Sequence, residues 1–342
     1  PFLFVSLLIF ATCQNKPTEP KPDEEDKPGR RDYVWTQDTL YSPNNMILSI
    51  WGISPTDIWA AGDGGVTAYD NLWHYDGVKW EPHTQSLRTS PEAIYGFSQN
   101  NIWLGGSNGM IYHYNGSQWD LIYEYTNPIT EQGYIFISDI HGTQNDLYAI
   151  GMMYVNNRQR GFILHYDGIK WAEEFVDTSN SQYLQVRTEN GKVFIYGVRH
   201  HSNDIDTNVF YEYRRPNLNV IYSLREDYGS LSMNAVGGKV IFMINKDLCR
   251  YIGGEFQKIE TLNHPEFGYN IWGGRNLKDI FVNLYNKGLG HYNGENTEVI
   301  FRDTNSWIGV AGNSLCFEKD AFFIMPDFDG GKQIILHGHL NE

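Results

Sequence analysis

Four histidines open closely related blocks along the chain: His74-Tyr75-Asp76-Gly77, His113-Tyr114-Asn115-Gly116, His165-Tyr166-Asp167-Gly168 and His291-Tyr292-Asn293-Gly294. Histidines at repeated spacing invite a metal reading. Repetition argues against it here, because each block belongs to a separate structural unit and the four rings cannot converge on one ion at about 2 Å. Hydrogen bonding within or between the units is the expectation instead. Two further histidines, His200 and His201, precede Asp204 and Asp206. That set matches no known cation-site spacing and reads as a solvated turn. No metal site and no cofactor is expected.

Motifs that would announce an enzyme are missing. There is no Gly-x-Ser-x-Gly, no Gly-x-x-x-x-Gly-Lys-Ser/Thr and no His-Glu-x-x-His. The glycines of Gly62-Asp63-Gly64-Gly65 precede a strand, not a helix, so they form no phosphate cradle. Glycosidase carboxylates need no motif, so a glycan-active enzyme with paired acids in a central pocket stands as the alternative function. With 26 Lys+Arg against 41 Asp+Glu the formal net charge is −15, the wrong sign for tracking phosphates, and no nucleic-acid partner is expected.

The elements that must position these residues follow from self-comparison. A polar residue, an aliphatic one and a third, usually aromatic, recur as Asp57-Ile58-Trp59, Asn101-Ile102-Trp103, Asp146-Leu147-Tyr148, Lys192-Val193-Phe194, Lys239-Val240-Ile241, Asp279-Ile280-Phe281 and Asp320-Ala321-Phe322. Successive third positions are 44, 45, 46, 47, 40 and 41 residues apart. The Asp-Gly and Asn-Gly pairs between apolar segments supply the positive φ angles of type I′ hairpins. Each repeat therefore reads as four strands, and the whole as an all-β, seven-bladed β-propeller of four-stranded blades. The seventh repeat lacks an outer strand before the chain stops. A matching piece, Asp32-Tyr33-Val34-Trp35-Thr36-Gln37-Asp38-Thr39-Leu40-Tyr41, stands before the first repeat and is expected to close the ring. Trp59, Trp103, Trp80, Trp119 and Trp171 read as packing between blades. Cys249 and Cys316, on strands of blades five and seven, read as buried free thiols.

These repeats resemble a bacterial secreted or lipoprotein β-propeller family with tandem Trp-Gly-x-Ser-x-x-Asp-Ile-Trp-Ala-x-Gly and His-Tyr-Asp-Gly-x-x-Trp motifs. The resemblance covers residues 32–342 and is sharpest in the first three repeats. It implies a binding or scaffold module; fold alone assigns no chemistry.

Residues 1–12 are apolar over the length of a signal-peptide core, too short for a spanning helix, and read as a signal peptide truncated at its start. Cys13 follows, then a tract rich in proline and charge through Gly29 that cannot pack, so residues 13–31 read as a lipidated cysteine and linker. The arrangement resembles a bacterial lipoprotein signal, although Phe10 and Thr12 replace the usual Leu and small residue of its cysteine motif. The resemblance implies lipidation at Cys13 and an outer-membrane lipoprotein of the cell envelope, periplasmic or surface-exposed. Simple secretion is the alternative. Membrane contact is expected through the lipid anchor only, and the chain is expected to be a monomer.

Spacing from the second-strand aromatic to the histidine varies: 15 (Trp59 to His74), 10 (Trp103 to His113), 17 (Tyr148 to His165) and 10 (Phe281 to His291). Strand order puts that variable loop on the same face as the connections between blades. Binding residues concentrate on variable loops carried by a rigid frame. The ligand-binding candidates on this face are Tyr69, Tyr154, Asn157, Arg158, Arg160, Arg199, His200, His201, Asp204, Tyr269 and Trp307. Aromatic rings beside Asn, Asp and Arg suit a glycan, a peptide or an envelope protein as partner.

Overall fold

In the computed structural model, the described residues are 27–41, 46–63, 72–127, 134–202, 205–225, 231–285, 288–302, 314–327 and 332–342. Within them, 28 strands form seven four-stranded antiparallel sheets arranged as the blades of a propeller. There is no helix among the described residues, and hence none long and apolar enough to cross a membrane. Blade one is typical, running from the axis outward as Met46–Ser54, Asp57–Asp63, Leu72–Tyr75 and Trp80–Pro82. The Asp-Gly and Asn-Gly turns behave as their chemistry dictates, with φ of 91° at Gly77, 96° at Gly116, 89° at Gly168 and 87° at Gly294. The preceding Asp or Asn side chain accepts the two amides that follow, as Asp76 Oδ1 does from Val78 (2.8 Å) and Lys79 (2.9 Å).

The ring closes as expected. Blade seven consists of Ser314–Cys316, Asp320–Asp327 and Lys332–Leu340, and its outer strand is Tyr33–Tyr41. The register runs from Tyr33 opposite Leu340 to Tyr41 opposite Lys332 without a break. This strand also meets both neighbouring blades. Tyr33 lies 6.0 Å from the Phe281 ring and Trp35 5.4 Å from Phe301, both of blade six, while Trp80 Nε1 of blade one donates to Asp38 (3.3 Å).

Aromatic rings weld the blades. Trp59 meets Tyr114 (5.2 Å) and Trp119 (5.6 Å) of the next blade, and Trp103 meets Tyr166 (4.9 Å) and Trp171 (5.6 Å) in the same way. Edge-to-face and tilted pairs of this kind add to the burial of each ring. Nearer the axis, the inner strands carry an extra unpaired residue, for example between Ile47 and Ser49 and between Ile137 and Asp139. These bulges turn a polar side chain toward the next blade. Ser49 accepts the Ile94 amide (3.2 Å) and Asp139 the Val186 amide (2.9 Å), and Ser232, on an inner strand that pairs without a bulge, accepts the Ile271 amide (3.1 Å).

One expectation needs correcting at its edge. The linker composition predicts no packing before Asp32, yet Gly29 donates its amide to the Lys278 carbonyl (2.8 Å) in blade six. Arg31 donates to His291 Nδ1 (3.1 Å), to the Asn296 side chain (2.6 Å) and to the Asn296 carbonyl (2.8 Å). A Cβ at Gly29 would fall 2.7 Å from both Asp279 Oδ1 and His291 Cε1, so only glycine passes this close. The strap packs through hydrogen bonds rather than apolar burial, which composition does not register.

Candidate functional site

Strand order gives the molecule two unlike faces. The turns between first and second strands and the Asp-Gly/Asn-Gly hairpins share one. The connections between second and third strands, and those between blades, share the other. The repeated histidines point toward the hairpin face and are structural. His74 binds Asp57 (2.8 Å), His113 binds Asn101 (2.9 Å), His165 binds Asp146 (2.7 Å) and His291 binds Asp279 (2.7 Å). Each partner is the polar residue that opens the second strand of the same blade. Each imidazole also lies over that strand's aromatic ring, 4.5 to 4.8 Å between centres. Self-comparison shows why blades four and five differ: Lys192 and Lys239 replace the acid, and the histidine is missing with it. A fifth pair, His337 with Asp320 (2.7 Å), sits in blade seven.

On the loop face, blades three and four come together. The long spacing in blade three is not a loop. Asp146–Val155 and Arg158–Tyr166 form one extended hairpin that turns on Asn156 and Asn157, with φ of 52° and 60°. Arg158 and Arg160 are therefore strand residues, paired with Val155 and Met153, and Asn157 alone of the three stands at the tip. Asparagine at both turn positions supplies the left-handed conformations of a two-residue hairpin. Tyr154 packs edge-on against Tyr134 (5.8 Å) and accepts a hydrogen bond at its hydroxyl from Gln159 (2.9 Å). Asn180, between the blades, accepts the Gln159 amide on its side chain (2.9 Å) and the His200 amide on its carbonyl (2.7 Å). His200 and His201 then diverge: His200 Nδ1 meets Asp206 (2.8 Å) and His201 Nε2 meets the Thr207 hydroxyl (2.9 Å). Arg199 lies over the Tyr211 ring at 5.4 Å.

Tyr269 belongs to blade six, away from this cluster, where it packs against Tyr285 (5.6 Å) with the Lys246 ammonium 5.4 Å above the Tyr285 ring. Tyr69, Asp204, Trp307 and Cys13 lie outside the described residues. The sequence reading passed over Asn180 and Tyr285. Both are isolated polar or aromatic residues in connections, with no repeat partner to draw notice.

The axis carries a group the sequence reading missed entirely. A void of about 120 Å³ is lined by Trp51, Tyr95, Asp139, His141, Arg187 and Asn234 among others. Arg187 is buried, donates to Asp139 and, through Nε, to Asn234 Oδ1 (3.1 Å). Asn234 passes the contact on to the Trp272 carbonyl (2.8 Å) of blade six. Burial pushes the Asp139 carboxyl upward, opposed by Arg187 and by the amides of Val186 and Ile140. Asp139, Arg187 and Asn234 occupy successive inner strands 48 and 47 residues apart, a spacing the repeat itself could have revealed.

His141 beside this group accepts the Thr188 amide on Nδ1 (3.2 Å). Burial, and secondarily the Arg187 charge, holds it neutral by lowering its pKa to about 3. Its native value lies below the ordinary histidine value of about 6.5, so the unfolded chain takes up the proton first. Stability is thus fully present above about pH 6.5 and falls as pH drops toward 3, by at most about 1.4 kcal/mol per pH unit from this group. Urea melts at pH 6.5 and 4.5 should show His141→Asn losing less stability than the native chain; equal losses would mean the ring is not held neutral.

No family model and no curated protein matches this chain. Solved structures do. YCF48 bound to D1 peptide is similar at a TM-score of 0.58 and 15% identity, covering 93% of this chain and 100% of that one. YCF48 from Cyanidioschyzon merolae is similar at a TM-score of 0.53 and 12% identity, covering 89% and 98%. At such identities the likeness is one of architecture alone, a β-propeller matched over nearly the full length of both chains.

Proposed function

We propose that the protein is a binding propeller whose loop face takes up a peptide segment of an envelope protein, and that it is held at the membrane by lipid on Cys13. The observation that carries the first part is the likeness, along the whole propeller, to a structure solved with a peptide bound. The chemistry of the loop face supports it. Tyr134 and Tyr285, each half exposed, offer ring faces, and the hairpin of blade three presents Asn157, Arg158 and Gln159. Rings beside amides and guanidinium groups suit a backbone with alternating side chains. The channel is less suited to hydrolysis by a pair of acids. Among its described lining residues Asp139 is the one carboxylate, and Arg187 holds it. The tether rests on the apolar segment, the cysteine and the charged tract that follows. A single acyl chain anchors marginally, and the several chains that the lipoprotein resemblance implies would anchor stably.

A linear peptide library panned on the immobilised propeller tests the reading. Selected peptides should lose about tenfold or more in affinity on Tyr154→Ala or Tyr285→Ala and keep it on Val78→Ala, which alters an exposed hairpin residue of the opposite face. The native protein should partition into detergent and its Cys13→Ser variant into the soluble fraction. Peptides indifferent to the loop-face variants, or turnover of a glycan bound on an array, would overturn the binding reading; identical fractionation would overturn the tether.

A further inference from the structure

We propose that Asp320, His337 and His339 form a binding site for one divalent transition-metal ion, Zn²⁺ or Co²⁺ being well matched, on the hairpin face of blade seven. The site is separate from the loop face and independent of the peptide reading.

The geometry derives from the strands. His337 and His339 stand two apart on Lys332–Leu340, so their side chains leave the same side of the sheet. Asp320 opens the neighbouring strand directly opposite His339, and His337 is its diagonal neighbour. The outcome is convergence on one atom: Asp320 Oδ1 meets His337 Nε2 at 2.7 Å and His339 Nδ1 at 2.9 Å. The ligand atoms of the three residues lie within 4.8 Å of one another, and this is the one such group among the described residues.

Comparison with the other blades separates this site from the structural pairs. His74, His113 and His291 each have one acid or amide partner, and His165 has Asp146 on Nε2 (2.7 Å) and Glu174 near Nδ1 (3.5 Å), so in none of the four do two imidazoles share one oxygen; two residues later the chain turns at Asp76, Asn115, Asp167 or Asn293. In blade seven the third strand runs straight on, because its outer neighbour comes from the other end of the chain. A second imidazole can therefore occupy the position that elsewhere starts the hairpin. Phe322 stacks on His337 with centres 4.0 Å apart and planes 12° apart, which fixes that ring. His339 is half exposed and can adjust, leaving a coordination position open to solvent.

Two neutral imidazoles and a carboxylate are the donor set of many zinc sites, with metal–ligand distances of about 2.0–2.2 Å. Donor atoms around such an ion stand about 3.3 Å apart, so the two Asp320–imidazole contacts need to open by roughly half an ångström while the two imidazole nitrogens, within 4.8 Å of each other, need only draw in. On binding, each imidazole moves its proton to its other ring nitrogen and stays neutral, and the ion replaces the two N–H···Oδ1 contacts. Arg275, a fixed cation close by, donates to the Asp320 carbonyl (3.3 Å), and its charge is matched by Asp279 (2.9 Å). Charge elsewhere favours a cation, at a formal −15 for the whole chain.

The test uses the untagged protein. Titration with Co²⁺ should give ligand-field absorption saturating at one equivalent, and Zn²⁺ should displace it. Zn²⁺ should raise the melting temperature, and a chelator should reverse the rise. His339→Ala, at a half-exposed position outside the repeated pair, should keep the metal-free melting temperature yet bind Co²⁺ at least tenfold more weakly. His165→Ala, which removes a structural pair in blade three, should leave the stoichiometry unchanged. Absence of saturable Co²⁺ binding, or His339→Ala binding as tightly as the native chain, would overturn the proposal.

Discussion

Deleting residues 1–42 will leave a chain that aggregates or melts far below the native protein, whereas deleting residues 1–26 will leave the melting temperature unchanged. The longer deletion strips the nine-residue ladder from Tyr33 to Tyr41 off Lys332–Leu340. Each backbone hydrogen bond so lost is worth about 0.5–1.5 kcal/mol net. It also removes Leu40, 1% exposed, and Trp35, packed against Phe301 and Phe323. Losing such side chains costs about 2–5 kcal/mol apiece. Together these reach the ~5–15 kcal/mol that holds a typical domain folded, and an open strand edge is left to pair with other chains. A cut at residue 31 should fall between the two, because it takes away the Gly29–Arg31 strap but spares the strand. Thermal melts of the three truncations check the series. Coincident melts for the 1–26 and 1–42 deletions would refute closure by the N-terminal strand.

Arg187→Met will destabilise the propeller by about 3–5 kcal/mol, the cost of leaving a buried carboxylate without its partner. Asp139 would retain the Val186 and Ile140 amides, one on each oxygen, which do not offset its charge. Asn234 would lose the Arg187 donor as well, loosening the link from blade four through blade five to blade six. Adding Asp139→Asn to Arg187→Met should recover a large part of the loss, since a neutral amide costs less to bury than an unpaired charge. Urea denaturation of the native chain, both single variants and the double variant gives the coupling directly. An Arg187→Met midpoint equal to the native one would show that the axial ion pair contributes nothing to holding the blades.

The sequence by itself determined the blades. Strand alternation, the Asp-Gly and Asn-Gly turns and the 40–47-residue period are local signals, each set by the φ preferences and side-chain alternation of a few neighbouring residues. The period further placed the closing strand and the packing tryptophans, because an incomplete seventh copy identifies its own missing piece. It also contained the histidine–acid pairing, visible in the joint loss of both residues from blades four and five.

Tertiary structure alone decided what meets across large separations in sequence. Arg31 reaches His291 over 260 residues through hydrogen bonds that leave no apolar pattern. The hairpin of blade three looks like a long loop in sequence because Arg158 and Arg160 alternate with residues whose burial depends on the neighbouring blade. His337 and His339 acquire a shared oxygen only once the chain start pairs with their strand, since that pairing continues through His339 where blades one, two, three and six turn. Local preferences fix the conformation of each strand, but which side chains converge is set by ring closure, and closure joins the two ends of the chain.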